Sequence, residues 1–255
     1  MTEVLPGADT MDDSAALAAR LGATRMDLVV REVVGLTPSM VRVLLAGDAL
    51  RSLEVRPGQD LMLTASVGPP VVRRRWTISS LDDDTVALDV ALHAGLGASV
   101  LHEARPGDVV EAIGPRGKVR LVEDARVHHF LGDHSFLPAA WAMAGAVTPP
   151  AVAVLTCTVP TPADRRDAPG PAAGDPTWVE AADDDAATGR ALLAASGLGA
   201  PEDGVVAYIG GEMTLVSTIR SLLVRDHGWS REAVLPKPYW RRGAANARHG
   251  EPAKE

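Results

Sequence analysis

A small antiparallel β-barrel followed by a parallel α/β domain is the architecture this sequence predicts, on three observations. Between residues 23 and 122, short runs rich in valine and leucine are cut by turn residues at close spacing, the pattern of an antiparallel barrel or sandwich. Between residues 123 and 236, apolar runs alternate with stretches of helical spacing, which indicates a largely parallel sheet with crossover helices. Within that half, "PAVAVLTCTV" and "GVVAYIGG" are continuously apolar, as strands buried on both faces are.

Each element has its own signal. Residues 1–22 read as a tail with one short helix, "DDSAALAARLG", which starts at Asp13 or Ser14 and stops at Gly22. The barrel strands are expected in "MDLVVREVVGL", "SMVRVLLAG", "DLMLTASV", "RRRWTISS", "TVALDVALHAG" and "RPGDVVEAIGPRGKV". Pro38, Gly47-Asp48, Pro57-Gly58, Pro69-Pro70 and Asp82 to Asp84 supply the turns. The second half opens with the strand "VHHFLGD" and the helix "SFLPAAWAMAGAV". "TWVEAADD" is a weaker strand, while "DDAATGRALLAASGLG" and "EMTLVSTIRSLLVRDHG" are helices. The Pro-, Gly- and Asp-rich segment between Pro160 and Thr177 reads as a mobile loop.

The bulk composition excludes several classes. The chain has 255 residues, is 46% hydrophobic and carries a formal net charge of −8. A packed core is expected, and a nucleic-acid partner is not, because neutralising phosphates needs a basic surface. A single cysteine, Cys157, makes no internal disulfide, so a reducing compartment is expected. The start, "MTEVLPGADTMDD", is acidic and lacks the basic-then-apolar signature of a signal peptide. No apolar run is long enough to insert in a membrane, and a cytoplasmic location is expected. The adjacent His128 and His129 would point to opposite faces of a strand and make poor joint metal ligands. No nucleophile elbow or phosphate-binding P-loop appears, so no catalytic residue and no metal site is assigned.

The stretch "VVRRRWTISS" places a local positive island, Arg73 to Arg75, on this acidic chain. Such an island suits a small anionic ligand. Arg74 and Trp76 are two apart and share a strand face. A guanidinium pairs with phosphate and an indole stacks on a flat ring. A solvated basic strand with a half-buried tryptophan would show the same pattern.

Four stretches, "RRWTIS", "GPRGKV", "LGDHSFLPAAWAM" and "YWRRGAANARHGEP", resemble the siderophore-interacting proteins, a family related to the ferredoxin–NADP reductases. The resemblance implies an FAD-binding barrel over 23–122, an NAD(P)-binding-like domain over 123–236, and a segment, 237–255, that folds back over the cleft between them. It gives Arg74 to a flavin phosphate, Trp76 to the flavin ring and Thr77 to a hydrogen bond with that ring. His93, Gly97, Ala98 and Ser99 of "HAGLGASVL" would form a pyrophosphate cradle. Gly132, Asp133 and Ser135, with Ser135 capping the next helix, and Gly211 and Glu212 of "GGEM" would meet the nicotinamide cofactor. Arg241 and Arg242 would attract its phosphate or an anionic substrate. Lys237, Tyr239, Trp240, His134 and Phe136 would face substrate.

Departures gather at the contacts. Trp76 replaces the family's tyrosine, Ser79 its closing arginine, and Val100 and Leu101 a basic residue and an aromatic. His134 and Phe136 replace a glutamate and an alanine, and the phenylalanine takes space that a nicotinamide needs. The resemblance implies an FAD-dependent NAD(P)H oxidoreductase that reduces ferric siderophores, the iron arriving with a small-molecule substrate. The departures suggest two alternatives. One is a flavin-free relative using the pocket for a non-redox cyclisation or rearrangement in secondary metabolism. The other is a small-molecule binding protein.

Overall fold

The computed structural model describes residues 8–66, 71–92, 96–182 and 184–243, and of residues 8–13, 96, 97 and 99 the backbone alone. Helix α1 (Ala8–Leu21) precedes six strands, β1 (Thr24–Thr37), β2 (Met40–Ala46), β3 (Asp60–Ser66), β4 (Val72–Asp82), β5 (Thr85–Ala91) and β6 (Val109–Arg116). They close into an antiparallel barrel in the order β1-β2-β5-β4-β3-β6. Closure leaves no free edge, and alternation sends Leu28, Val30, Val43, Leu45, Leu61, Leu63, Val86 and Leu88 into one core. Helix α2 (Leu96–Glu103) covers that core with Ala98 and Leu101. Helix α1 lies outside, with Ala18 against Met62 and Ile113.

The second half is a five-stranded parallel sheet. Its elements are β7 (Val127–Asp133), α3 (Leu137–Ala144), β8 (Val152–Val159), β9 (Thr177–Glu180), α4 (Asp185–Ser196), β10 (Val205–Glu212), α5 (Met213–Ser221) and β11 (Val234–Trp240). The order β11-β10-β7-β8-β9 makes the chain reverse direction between β7 and β10, where ligands of open α/β sheets bind. Every residue of β10 is buried, as its unbroken apolar run predicts. No helix among the described residues is long and apolar enough to cross a membrane.

Three local expectations need correction. Ser135 does not cap α3; Phe136 holds the cap position without a side-chain bond, because Ser135 turns its N–H and hydroxyl to Asp133 instead. Residues 237–240 are not a tail laid over the cleft but the end of β11, which runs through 236. Pro236 and Pro238 hid this strand in the sequence, and it tolerates them because it is a sheet edge. The segment expected to be mobile is a strap tied to the barrel. Buried Asp164 accepts from the Ser39 N–H at 2.8 Å and the Thr161 hydroxyl at 2.7 Å. Arg166 bonds Asp89 at 3.0 Å and lies 5.1 Å over Trp141, whose indole N–H reaches the Gly174 carbonyl.

Candidate functional site

The two domains meet along β4. Helix α3 packs on it, and Thr77 Oγ1 lies 3.4 Å from Tyr239 Oη, joining barrel to sheet. Register decides which β4 side chains face this seam. Trp76 pairs with Leu61 and Arg74 with Leu63. Paired residues share a face, so Arg74 and Trp76 stand together on the side of the barrel core, where Trp76 packs half-buried. Arg75 and Thr77, paired with Met62 and Asp60, take the other face.

That other face holds a charged cluster the sequence did not flag. Asp60, 1% exposed, accepts both hydrogen bonds of a bidentate Arg75 at 2.8 and 2.7 Å. Lys237 donates to Asp60 at 3.1 Å and to the Gly58 carbonyl at 3.2 Å, and lies 5.2 Å over the Tyr239 ring. Burial pulls the Lys237 pKa down, but Tyr239 and Asp60 outweigh it and the net shift is upward. Arg75 follows the same balance: burial lowers its pKa, and the Asp60 bonds raise it further. Arg74 differs, since burial lowers its pKa, a shift that an incoming phosphate would reverse.

At the carboxyl ends of β7 and β10 the expected nicotinamide residues do come together, but they satisfy one another. Asp133 accepts from the Glu212 N–H at 2.8 Å, the Ser135 N–H at 2.8 Å, the Ser135 hydroxyl and the Trp240 indole N–H at 3.0 Å. Glu212, 1% exposed, caps α5 through the Thr214 and Leu215 N–H groups and accepts from the Arg242 N–H at 3.1 Å. Gly132 and Gly210 face each other in register, and the Phe136 ring fills the space their missing side chains leave. A Cβ on Gly210 would lie 2.5 Å from Phe136 Cγ; one on Gly132 would meet the Gly210 carbonyl oxygen first and then Phe136 Cδ1 at 2.8 Å. A nicotinamide ring therefore does not fit this crevice as it stands.

The remaining candidates are scattered. Arg242 is exposed, bidentate to Asp185 at 2.8 Å on both arms and 5.3 Å over Trp240; Arg241 is exposed. His134 is buried, and its Nε2 meets no hydrogen-bond partner. Of the cradle residues, His93 lies outside the described residues, Gly97 and Ser99 are described in backbone only, and Ala98 is buried in the barrel core. Leu101, the departure from the family's aromatic, is 1% exposed in that core. Ser79, where the family has an arginine, instead accepts the Asp89 N–H at 3.1 Å. Asp89 takes its cations from Arg42 and Arg166. A separate cavity of about 580 Å³ lies on the outer barrel wall, lined by Ser14, Thr64, Arg73, Leu101 and Glu111 among others. Arg73 is four residues from Thr77, roughly 13 Å along an extended strand. No three His, Cys, Asp or Glu side chains among the described residues are grouped to hold a metal.

Comparison with known proteins agrees with this fold. The family described as "Siderophore-interacting protein" matches residues 125–243. The ferric vibriobactin reductase ViuB of Vibrio cholerae is 27% identical over 143 residues, 55% of this chain and 52% of that protein. The match thus spans about half the length of that curated relative. A siderophore utilization protein from T. fusca superposes with a TM-score of 0.76 at 26% identity, over 89% of this chain and 96% of that one. The siderophore-interacting protein SipS of Aeromonas hydrophila, at 24% identity and TM-score 0.73 over 87% and 93% of the two chains, shares the fold. The resemblance drawn from "RRWTIS" and "YWRRG" is borne out.

Proposed function

We propose that this chain, similar to the siderophore-interacting proteins over residues 125–243, is a member of that family and a flavin-dependent reductase of a chelated ferric ion. The observation that carries the proposal is the closed antiparallel barrel packed through β4 on a parallel sheet whose strand order reverses between β7 and β10. By the resemblance, Arg74 would hold a flavin phosphate, Trp76 the ring and Thr77 a hydrogen bond to it, which requires the ring to reach past the seam face of β4 to the side where Arg74 and Trp76 stand. FAD, when bound, supplies a centre that accepts electrons in pairs and releases them singly. The chain's own groups position ring and substrate and exclude water. Exposed Arg241 gives an anionic ferric chelate a counter-charge, while Lys237 is engaged internally with Asp60.

Titration of the protein with FAD, followed by visible absorbance, tests this. Saturable uptake with a shifted spectrum is expected. Arg74→Ala should weaken it about 10- to 100-fold through loss of a charge-assisted bond, and Trp76→Ala about tenfold through loss of stacking. A second reading has one observation in its favour. Tyr239 touches Thr77 directly and so closes the place a flavin would take, as it would in a flavin-free relative that uses the cleft for a non-redox rearrangement. A colourless protein that takes up no FAD at micromolar concentration would select that reading and remove the reductase.

A further inference from the structure

The crevice between β7 and β10 is closed from inside by one side chain. Strand-end glycines such as Gly132 and Gly210 let a flat group approach the backbone closely. Here the flat group already present is the ring of Phe136, 3% exposed, lying against both glycines. The ring is backed by Tyr239, centroid to centroid 6.1 Å. Tyr239 is in turn held by Thr77 and by the Lys237 ammonium over its face, and Lys237 is fixed by buried Asp60. The backing thus runs from the sheet to the ion cluster of the barrel.

The polar side of the crevice is closed as well. The Ser135 and Glu212 N–H groups, which in an open turn would meet a pyrophosphate, both go to the Asp133 carboxylate. The Phe136 N–H goes to the Asp133 carbonyl at 2.9 Å. Pro138 has no N–H to offer in the first turn of α3. The turn thus places two buried carboxylates, Asp133 and Glu212, where a pyrophosphate would arrive.

We infer that Phe136 is a specificity-determining plug that keeps a nicotinamide ring out of the β7–β10 crevice, so that this chain discriminates against nicotinamide dinucleotides. The inference rests on the reductase reading only for the choice of ligand, since the test below contains no flavin. An ordinary core phenylalanine makes a different prediction: its truncation loosens the fold and creates no new affinity.

The test is calorimetric titration of the flavin-free protein with NAD⁺ and with NADP⁺, comparing wild type with Phe136→Ala and Phe136→Leu. Wild type should bind neither below about 1 mM. At least one variant with wild-type circular dichroism should gain about tenfold or more for one of the two nucleotides. The leucine variant keeps an apolar filler and so carries the test if the alanine variant does not fold. Wild-type binding tighter than about 1 mM, or no gain in a folded variant, overturns the proposal. Failure of FAD to bind would remove the reductase reading and leave this result standing.

Discussion

Asp60 carries two cations from two domains, Arg75 of the barrel and Lys237 of the sheet, with 1% of its own surface exposed. Burying a charge is tolerated only when it is paired and hydrogen-bonded. Removing different members should therefore cost different amounts. Asp60→Ala leaves two cations without their acid and should lose about 3–5 kcal/mol in urea unfolding. Lys237→Met leaves Asp60 neutralised by bidentate Arg75 and should cost clearly less. Equal losses would mean that the pair does not share its charge as the distances suggest. Gly211 offers a second test at this scale. Its φ is +126°, and a Cβ would stand 2.6 Å from the Asp133 carboxylate carbon. Gly211→Ala should cost about 1–3 kcal/mol from backbone strain alone, read as a lowered thermal midpoint. Neither Asp60 nor Arg75 was legible in the sequence: "PGQDL" reads as a turn followed by a strand start, and only the β3–β4 register shows that Arg75, not Arg74, faces the seam. Phe136, by contrast, was legible, because it stands between a strand-ending glycine and a helix.

Elements without regular structure do as much as strands to join the halves. The strap between β8 and β9 was misread as mobile because proline, glycine and aspartate mark turns whether or not the turn is docked. What settles the matter is long-range: Asp164 meets Ser39, and Arg166 meets Asp89. Burial alone would raise the Asp164 pKa, but hydrogen bonds from the Ser39 N–H and the Thr161 and Thr37 hydroxyls bring it down to about 2. A depressed folded pKa stabilises the fold above the unfolded value, near 4, and that contribution disappears as pH falls towards about 2. Asp164→Asn should therefore flatten the acid limb of stability between about pH 4 and pH 2, measured as urea midpoints against pH. An unchanged acid limb would separate the strap from acid stability. The helices and most strands were legible because their periodicity is local. Strand β11 was not, because Pro236 and Pro238 are allowed in it only by its place at the edge, which the sequence does not reveal.

At the scale of the molecule, the contacts that join barrel and sheet include the Thr77–Tyr239 pair, the Asp60–Lys237 ion pair, the strap and the packing of α3 on β4. The halves should thus unfold together. Tryptophan fluorescence and far-ultraviolet circular dichroism should give coincident urea transitions in the wild type, and an Asp164→Ala, Arg166→Ala double variant should separate them. Transitions already apart in the wild type would show that the seam is too weak to couple the domains. Architecture was readable from composition and periodicity because both domains announce themselves in local pattern. The cleft was readable only in part, since its closure depends on which faces meet across more than a hundred residues of chain.

The prolines of β11 have one further effect. Pro236 and Pro238 register with Ile209 and Gly211 of β10, and lacking N–H groups they leave the outward rim without two of the donors that a docking strand would need. At the opposite rim β9 offers only four residues, Thr177–Glu180. Neither margin can template another copy's backbone over any length, so crowding this protein to high concentration should not seed fibrils through its sheet.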